Sequence, residues 1–162
     1  MIEIRRLGEE RWQDYRDLRL EALKKEPAAF GSSYEEAKIA SEDEWRDRIK
    51  NALFAIDQDK PVGMIVCVRE TAIKNKHVAN IYGVYVDEEY RGRGVGKKLM
   101  DAVLTQIQKQ HNVIKIKVTV NPVQKAAVNL YQDYGFNIIG QLKKELFVEG
   151  KFYDELIMEK LL

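Results

Sequence analysis

The stretch Val84-Tyr85-Val86-Asp87-Glu88-Glu89-Tyr90-Arg91-Gly92-Arg93-Gly94-Val95-Gly96-Lys97-Lys98 runs from a strand end through three alternate glycines into a helical pattern. Alternate glycines let successive backbone N–H groups converge. At a helix N-terminus these groups meet the positive end of the dipole, so the turn suits a phosphate or pyrophosphate. Arg91 and Arg93 add positive charge. Two better-known phosphate motifs do not fit. The dinucleotide fingerprint needs G-x-G-x-x-G, whereas the glycines here fall at 92, 94 and 96. The P-loop needs a glycine where Arg91 stands and Ser or Thr where Lys98 stands. Taken alone, such a turn is equally compatible with a plain connection between two elements.

The pattern that does fit is V-x-x-x-x-R-G-x-G-x-G, carried by Val86, Arg91, Gly92, Gly94 and Gly96. It resembles the acyl-CoA pyrophosphate loop of the GNAT family of N-acetyltransferases. A second block, Asn121-Pro122-Val123-Gln124-Lys125-Ala126-Ala127-Val128-Asn129-Leu130-Tyr131-Gln132-Asp133-Tyr134-Gly135-Phe136, is similar to that family's N-P-x-N-x-x-A-x-x-L-Y-x-x-x-G-F signature. The two blocks stand in the family's order and spacing, and the resemblance covers nearly the whole chain. It implies acetyl-CoA as donor, a primary amine as acceptor and direct transfer in a ternary complex, with no metal. It also implies a bulge that splays the fourth and fifth strands for the pantetheine arm, and Gly83 stands where that bulge belongs.

The same resemblance assigns site residues. Cofactor contacts are expected from Val84, Tyr85 and Val86, where the backbone of Val84 and Val86 pairs with pantetheine and the N–H of Val86 or its neighbour polarises the thioester carbonyl. Arg91, Gly92, Arg93, Gly94, Val95 and Gly96 are expected at the pyrophosphate, and Asn121, Asn129 and Tyr131 further along the cofactor. Tyr131 matches the family tyrosine that protonates the departing CoA thiolate. The sequence departs from the pattern at Gln124, where Asn is common, and at Asn80, where several relatives carry a basic glutamate. Glu35, Glu36 or Tyr85 acting through water are the alternatives for removing the amine proton, and the sequence does not choose among them.

Several elements must position these residues. Ile2 and Ile4 open a short strand, and Trp12, Tyr15, Leu18, Ala22 and Leu23 recur at helical spacing, giving a helix over about residues 9–25. Pro27 to Tyr34 reads as a mobile loop that either lines a substrate cleft or merely connects. Ser41 with Glu44 is a capping-box signature ahead of Trp45 and Ile49. Ala52 to Ile56 and Val62 to Val68 form two strands around a turn at residues 57–61, the second apolar throughout and so covered on both faces. Thr71 to His77 is an exposed loop, and Val78 to Val86 is a strand interrupted by Gly83.

Val95, Leu99, Ala102, Val103 and Ile107 mark one face of a helix; Ile114, Ile116, Val118 and Val120 alternate as in a half-buried strand. Asn121 with Pro122 reads as the start of a helix that Gly135 stops. Strands follow at residues 136–140, 142–148 and 153–161, the last two joined at Glu149-Gly150. Crossover helices demand some parallel pairing and the hairpins some antiparallel, so the sheet is mixed with helices on both faces. The expected fold is therefore α/β (α+β), a GNAT-like single domain over residues 1–162 whose central sheet is mixed, mostly antiparallel, and splayed.

Composition narrows the alternatives. The 162 residues suit one domain. Lys and Arg number 27 against 26 Asp and Glu, a formal net charge of +1 that argues against a general nucleic-acid binder despite Lys74, Lys76 and the basic turn. The single cysteine, Cys67, lies in an apolar run and reads as core rather than nucleophile, and two histidines without clustering argue against zinc. That run is far short of a membrane span, and the start shows no apolar signal region, so a cytoplasmic location is expected. The sequence leaves the oligomeric state open, a homodimer being the commonest soluble assembly. Asn80 and the unassigned base leave one competing function, a non-catalytic acyl-CoA-binding regulatory module.

Overall fold

The computed structural model describes residues 1–162. One sheet of seven strands runs through the chain: β1 (Glu3–Arg5), β2 (Ala52–Asp57), β3 (Lys60–Arg69), β4 (Val78–Val86), β5 (Lys115–Val120), β6 (Asn137–Val148) and β7 (Lys151–Leu161). Their spatial order is β1-β2-β3-β4-β5-β7-β6, and every neighbouring pair is antiparallel except β4 with β5. Five α-helices cover it: α1 (Trp12–Lys25), α2 (Tyr34–Lys38), α3 (Glu42–Ile49), α4 (Val95–Gln108) and α5 (Lys125–Asp133).

Alternation of side chains along the strands sends apolar residues to both faces, and two cores result. On one face, Leu99, Met100, Val103 and Ile107 of α4 and Tyr131 of α5 pack over Ile81, Ile116, Val118 and Met158. On the other, Tyr15 and Leu18 of α1, Ala37 of α2 and Trp45 and Ile49 of α3 pack over Phe54, Met64 and Tyr85. Tyr15 meets both Trp45 and Phe54 edge to face, with ring centroids 5.5 and 5.6 Å apart, a geometry that favours aromatic quadrupoles. The mixed sheet with helices on both faces is as expected.

Local signals were followed where short-range chemistry sets the geometry. The β2–β3 turn places Gln58 and Asp59 at φ 46° and 67°, the two consecutive positive values of a tight hairpin. Arg5 and Arg11 hold Asp59 at 2.8 and 2.7 Å. Both halves of the Ser41–Glu44 capping box are formed. Ser33 and Glu36 form a second one, which starts α2 inside the region next to the expected loop.

Other boundaries moved. The first turn of the expected helix over residues 9–25 is a 3-10 turn at Glu9–Arg11. Phe30, within the segment expected as a mobile loop, is buried in the α1–α3 core. Ile114 is exposed, with β5 starting one residue later. The helix expected at Asn121-Pro122 begins instead at Lys125, with Gln124 at its N-cap position. The two strands expected over 136–148 are one, because β7 pairs with β6 through two irregularities, the second at Lys144 with φ 53°. Cys67 is half-buried and burial pushes its thiol up to about 11, leaving it inert.

The feature that matters most for the site lies in β4. Between the pairs Met64↔Tyr85 and Val66↔Tyr82, β3 has one residue and β4 has two, Gly83 and Val84. This is a β-bulge, with Gly83 in the left-handed region at φ 57°. Pairing of β4 with β5 runs from Val78↔Lys115 to Ile81↔Val118 and stops there. Tyr82 to Val86 diverges from Thr119 and Val120, opening the sheet at its centre. A side chain at 83 would suffer left-handed strain, and its Cβ would come within 3.0 Å of Arg19 Nη1. Gly83→Ala is expected to lower the unfolding free energy by about 1–2 kcal/mol, measured by urea denaturation.

Candidate functional site

The gap between β4 and β5 opens into a cleft of about 590 Å³ walled by the bulge, the start of α4, the inner face of α5 and the α1–α2 connection. Asp87 N–H donates to Val62 O across β3 at 2.9 Å. Strand alternation therefore turns the main-chain groups of Val86 and Val84 the other way, into the gap where β5 no longer partners them. Val86 O is taken by Arg91 Nε at 2.9 Å, which leaves the Val86 N–H and the main-chain groups of Val84 on this edge to find a polar partner.

The glycine-rich turn lies at one end of this cleft. Gly92 and Gly94 have φ values of 73° and 77°, with open space where a Cβ would lie. Their need for glycine is thus conformational and not steric. Gly94 caps α4, and none of the backbone amides from Gly92 to Lys97 donates to a protein acceptor. These are the orphan donors of a helix start, gathered at the positive end of the dipole. At Gly96 a Cβ would meet Leu130 Cδ2 of α5 at 3.5 Å, an ordinary packing distance. Arg91 does not wave freely. Its Nε donates to Val86 O at 2.9 Å and its Nη2 pairs with Glu26 at 3.0 Å, which ties the turn to both the strand edge and the end of α1.

Tyr131 lies on the inner face of α5, is 4% exposed and packs against Phe136 with centroids 5.8 Å apart. Burial pushes its phenol well above the ordinary tyrosine value, so the group is protonated at neutral pH. Tyr134, one helical turn further, points instead to α4, donating to Asp101 at 2.6 Å.

Of the expected cofactor residues, Val84, Tyr85, Val86, Arg91, Gly92, Gly94, Val95, Gly96 and Tyr131 line the cleft together. Arg93, Asn121 and Asn129 do not. Arg93 stacks over Tyr90 at 5.5 Å, and Asn129 is exposed on α5. Asn121 is 2% exposed; its Oδ1 accepts from Val123 N–H at 3.1 Å and its Nδ2 donates to Ala28 O at 3.0 Å. Its amide thus fastens the α1–α2 connection, including the cleft residues Ala29 and Phe30, to the end of β5.

The expected base candidates separate in the same way. Glu35 pairs with Lys38 on the surface, and Glu36 is occupied in its capping box. Tyr85 donates to Glu21 Oε1 at 3.2 Å, and burial with the Glu21 charge pushes its phenol up, which unfits it as a base. Asn80 donates to Glu70 Oε1 at 2.7 Å. Two carboxylates that sequence reasoning passed over do line the cleft. Glu26 is neutralised by Arg91, whereas Glu155 of β7 has no ion pair, and burial with nearby Glu145 pushes its carboxyl up. No local pattern marks Glu155, since its place depends on β7 lying beside β5.

Residues 6–136 match the acetyltransferase (GNAT) family. The L-amino acid N-acetyltransferase AaaT of Escherichia coli (strain K12) is 29% identical over 123 residues, covering 72% of this chain and 75% of that protein. Among solved structures, the acetyltransferase of GNAT family from Streptococcus pneumoniae superposes with a TM-score of 0.89 at 20% identity, over 100% of this chain and 99% of that one. The yncA protein of Salmonella typhimurium, solved with its cofactor acetyl-CoA, gives 0.86 at 15% identity, over 100% and 94%. At those identities the structural likeness establishes the fold. The chain belongs to the GNAT family, and its class is that of acetyl-CoA-dependent N-acetyltransferases.

The donor set of the cleft suits such a co-substrate, with unpaired strand groups for an amide-bearing arm and unsatisfied helix-start amides for a diphosphate. The Asn121 amide is part of the cleft's framework. Asn121→Ala, by removing the part-buried bond to Ala28 O, is expected to cost about 1 kcal/mol in unfolding free energy, read from urea melts.

Proposed function

We propose that the protein transfers an acetyl group from acetyl-CoA to a primary amine by direct attack within a ternary complex. The observation that carries this reading is the cleft in which the splayed β4 edge, the open amides at the start of α4 and the buried phenol of Tyr131 face one space. Acetyl-CoA supplies the activated acyl carbon. In this reading the amides of residues 92–97 hold the diphosphate, and the β4 main chain at Val84 and Val86 holds the pantetheine. The N–H of Val86 or its neighbour faces the thioester oxygen, a contact of the kind worth about 3–4 kcal/mol in acyl transfer. Side-chain identity on β4 is secondary in that role.

Tyr131 gives its proton to the thiolate as the carbon–sulfur bond breaks. A phenol raised by burial is a weak acid towards a thiolate, so the hydrogen bond it offers as charge appears on sulfur carries most of the effect. Glu155, with its raised carboxyl and no competing cation, accepts the amine proton, directly or through one water. Along β7, Leu156 and Met158 belong to the α4–α5 core, so Glu155 projects to the opposite face. Acid and base thereby approach from opposite sides of the sheet, matching the two partners that exchange the acetyl group.

Two measurements test these roles. Tyr131→Phe is expected to lower kcat by about 10- to 100-fold with a smaller change in the KM for acetyl-CoA; an unchanged kcat removes the assignment. For Glu155, the basic form is the active one, and its raised carboxyl keeps its proton to higher pH than an ordinary glutamate. Activity therefore rises with pH through that raised value. Glu155→Gln is expected to abolish this acid limb and to lower kcat by about 100-fold, followed by CoA release across a pH series.

A further inference from the structure

A second cavity, of about 410 Å³, opens on the α1–α3 side of the sheet and shares Arg19, Ser32, Tyr82 and Gly83 with the cleft. The two spaces therefore lie side by side at the bulge. Arg19 stands at the junction. It makes no ion pair, and its Nη1 is buried without any hydrogen-bond partner. That atom faces Gly83, since a Cβ there would lie 3.0 Å from it. Its Cζ lies over the Phe30 ring, 4.7 Å from the centroid, a cation–π contact that helps hold the side chain in place.

Arg48 of α3 also lines this cavity, and the two guanidiniums repel each other, while burial and that repulsion both pull the Arg19 pKa down. Arg48 has one ionic contact, to Glu44 at 3.4 Å on the exposed side of its helix. The acidic groups nearby do not answer them. Glu36 lines the cavity but is engaged with the Ser33 N–H and hydroxyl, and Glu26 of the adjoining cleft pairs with Arg91. A buried cation without a counter-charge is costly, and the cost is relieved when an anion enters. A polycationic amine would worsen it, and an uncharged amine would leave it as it stands.

We propose that the acceptor is an amino acid, an amine that carries a carboxylate, with Arg19 binding the carboxylate at the bulge and Arg48 supporting it from further out. This rests on the acetyl-transfer reading and adds the acceptor class. Tyr15, Trp45, Val66 and Val68 wall the remaining space and receive the acceptor's side chain. The carboxylate takes one or both of the open Arg19 N–H donors, leaving the amine free to face the adjoining cleft.

The test is CoA release from acetyl-CoA with the common L-amino acids, each beside its own carboxamide, and with spermidine. The best amino acid is expected to exceed its carboxamide by about 100-fold in kcat/KM. Arg19→Gln is expected to shrink that ratio at least about tenfold through the acceptor KM, with the KM for acetyl-CoA changed by less than about twofold. Arg19→Lys, which keeps the charge but not the fork, is expected to restore part of the ratio. Arg48→Gln gives a smaller loss and serves as the second variant should Arg19→Gln fail to melt cooperatively. Carboxamides or spermidine used as well as the acids, or a ratio untouched by both substitutions, overturns the proposal while acetyl transfer stands. If no amine releases CoA, acetyl transfer fails, and calorimetry of the same amino acids with the CoA-loaded protein decides the carboxylate site. Binding that is lost in Arg19→Gln keeps the site, and no binding ends it.

Discussion

The site depends on one interruption of backbone pairing. Parallel strands in the middle of a sheet normally satisfy each other along their length, yet β4 and β5 part after Ile81 and Val118. The extra residue at the bulge, with Gly83 at φ 57°, rotates the rest of β4 away from its neighbour. What would be two satisfied edges becomes two open ones facing a cleft. Burying such edges without partners would be prohibitive, so the gap persists as a groove suited to a ligand with amides of its own. The two cores on either side give the sheet enough rigidity to hold that shape.

Around this gap the protein spends polar groups sparingly and locks them. The α4 amides are open because Gly94 is left-handed and no side chain caps the helix. Arg91 is anchored between Val86 O and Glu26, and Tyr134 between Asp101 and Lys97 O, so the turn and both helices keep fixed relative positions. Asn121 performs the same service for the opposite wall through Ala28 O. Such supporting bonds matter because groups that stabilise developing charge act through preorganisation, and a small displacement forfeits much of their effect.

The charges left unanswered are as informative as those that are paired. Arg5, Arg11, Arg46 and Lys115 each have a carboxylate within reach. Arg19 and Glu155 do not, and both stand where the cleft meets the face covered by α1 and α3. Opposite charges lining one cleft, neither spent on a partner, suit a molecule that itself carries an ammonium and a carboxylate.

Much of this was legible in the amino-acid order, because local rules govern it. The three glycines at 92, 94 and 96, the capping box at Ser41, the hairpin at Gln58-Asp59 and the glycine in β4 each act within a few residues of themselves, and each appears where its chemistry placed it. The family signatures combine such local rules, so the family and its donor could be read from them. Asn121 shows where that reading stops. Its type suits a helix cap, but a carbonyl 93 residues away claims its amide and the helix starts later. Phe30 and Arg19, both close to α1's sequence, and Glu155, near the chain end, come to one space only when the sheet is assembled. Sequence alone determined the elements and the glycine-rich turn, since short-range sterics and hydrogen bonds set them. Only the tertiary structure decided which charges go unpaired and which side chains line the two cavities, since burial and long-range contact are properties of the assembled fold.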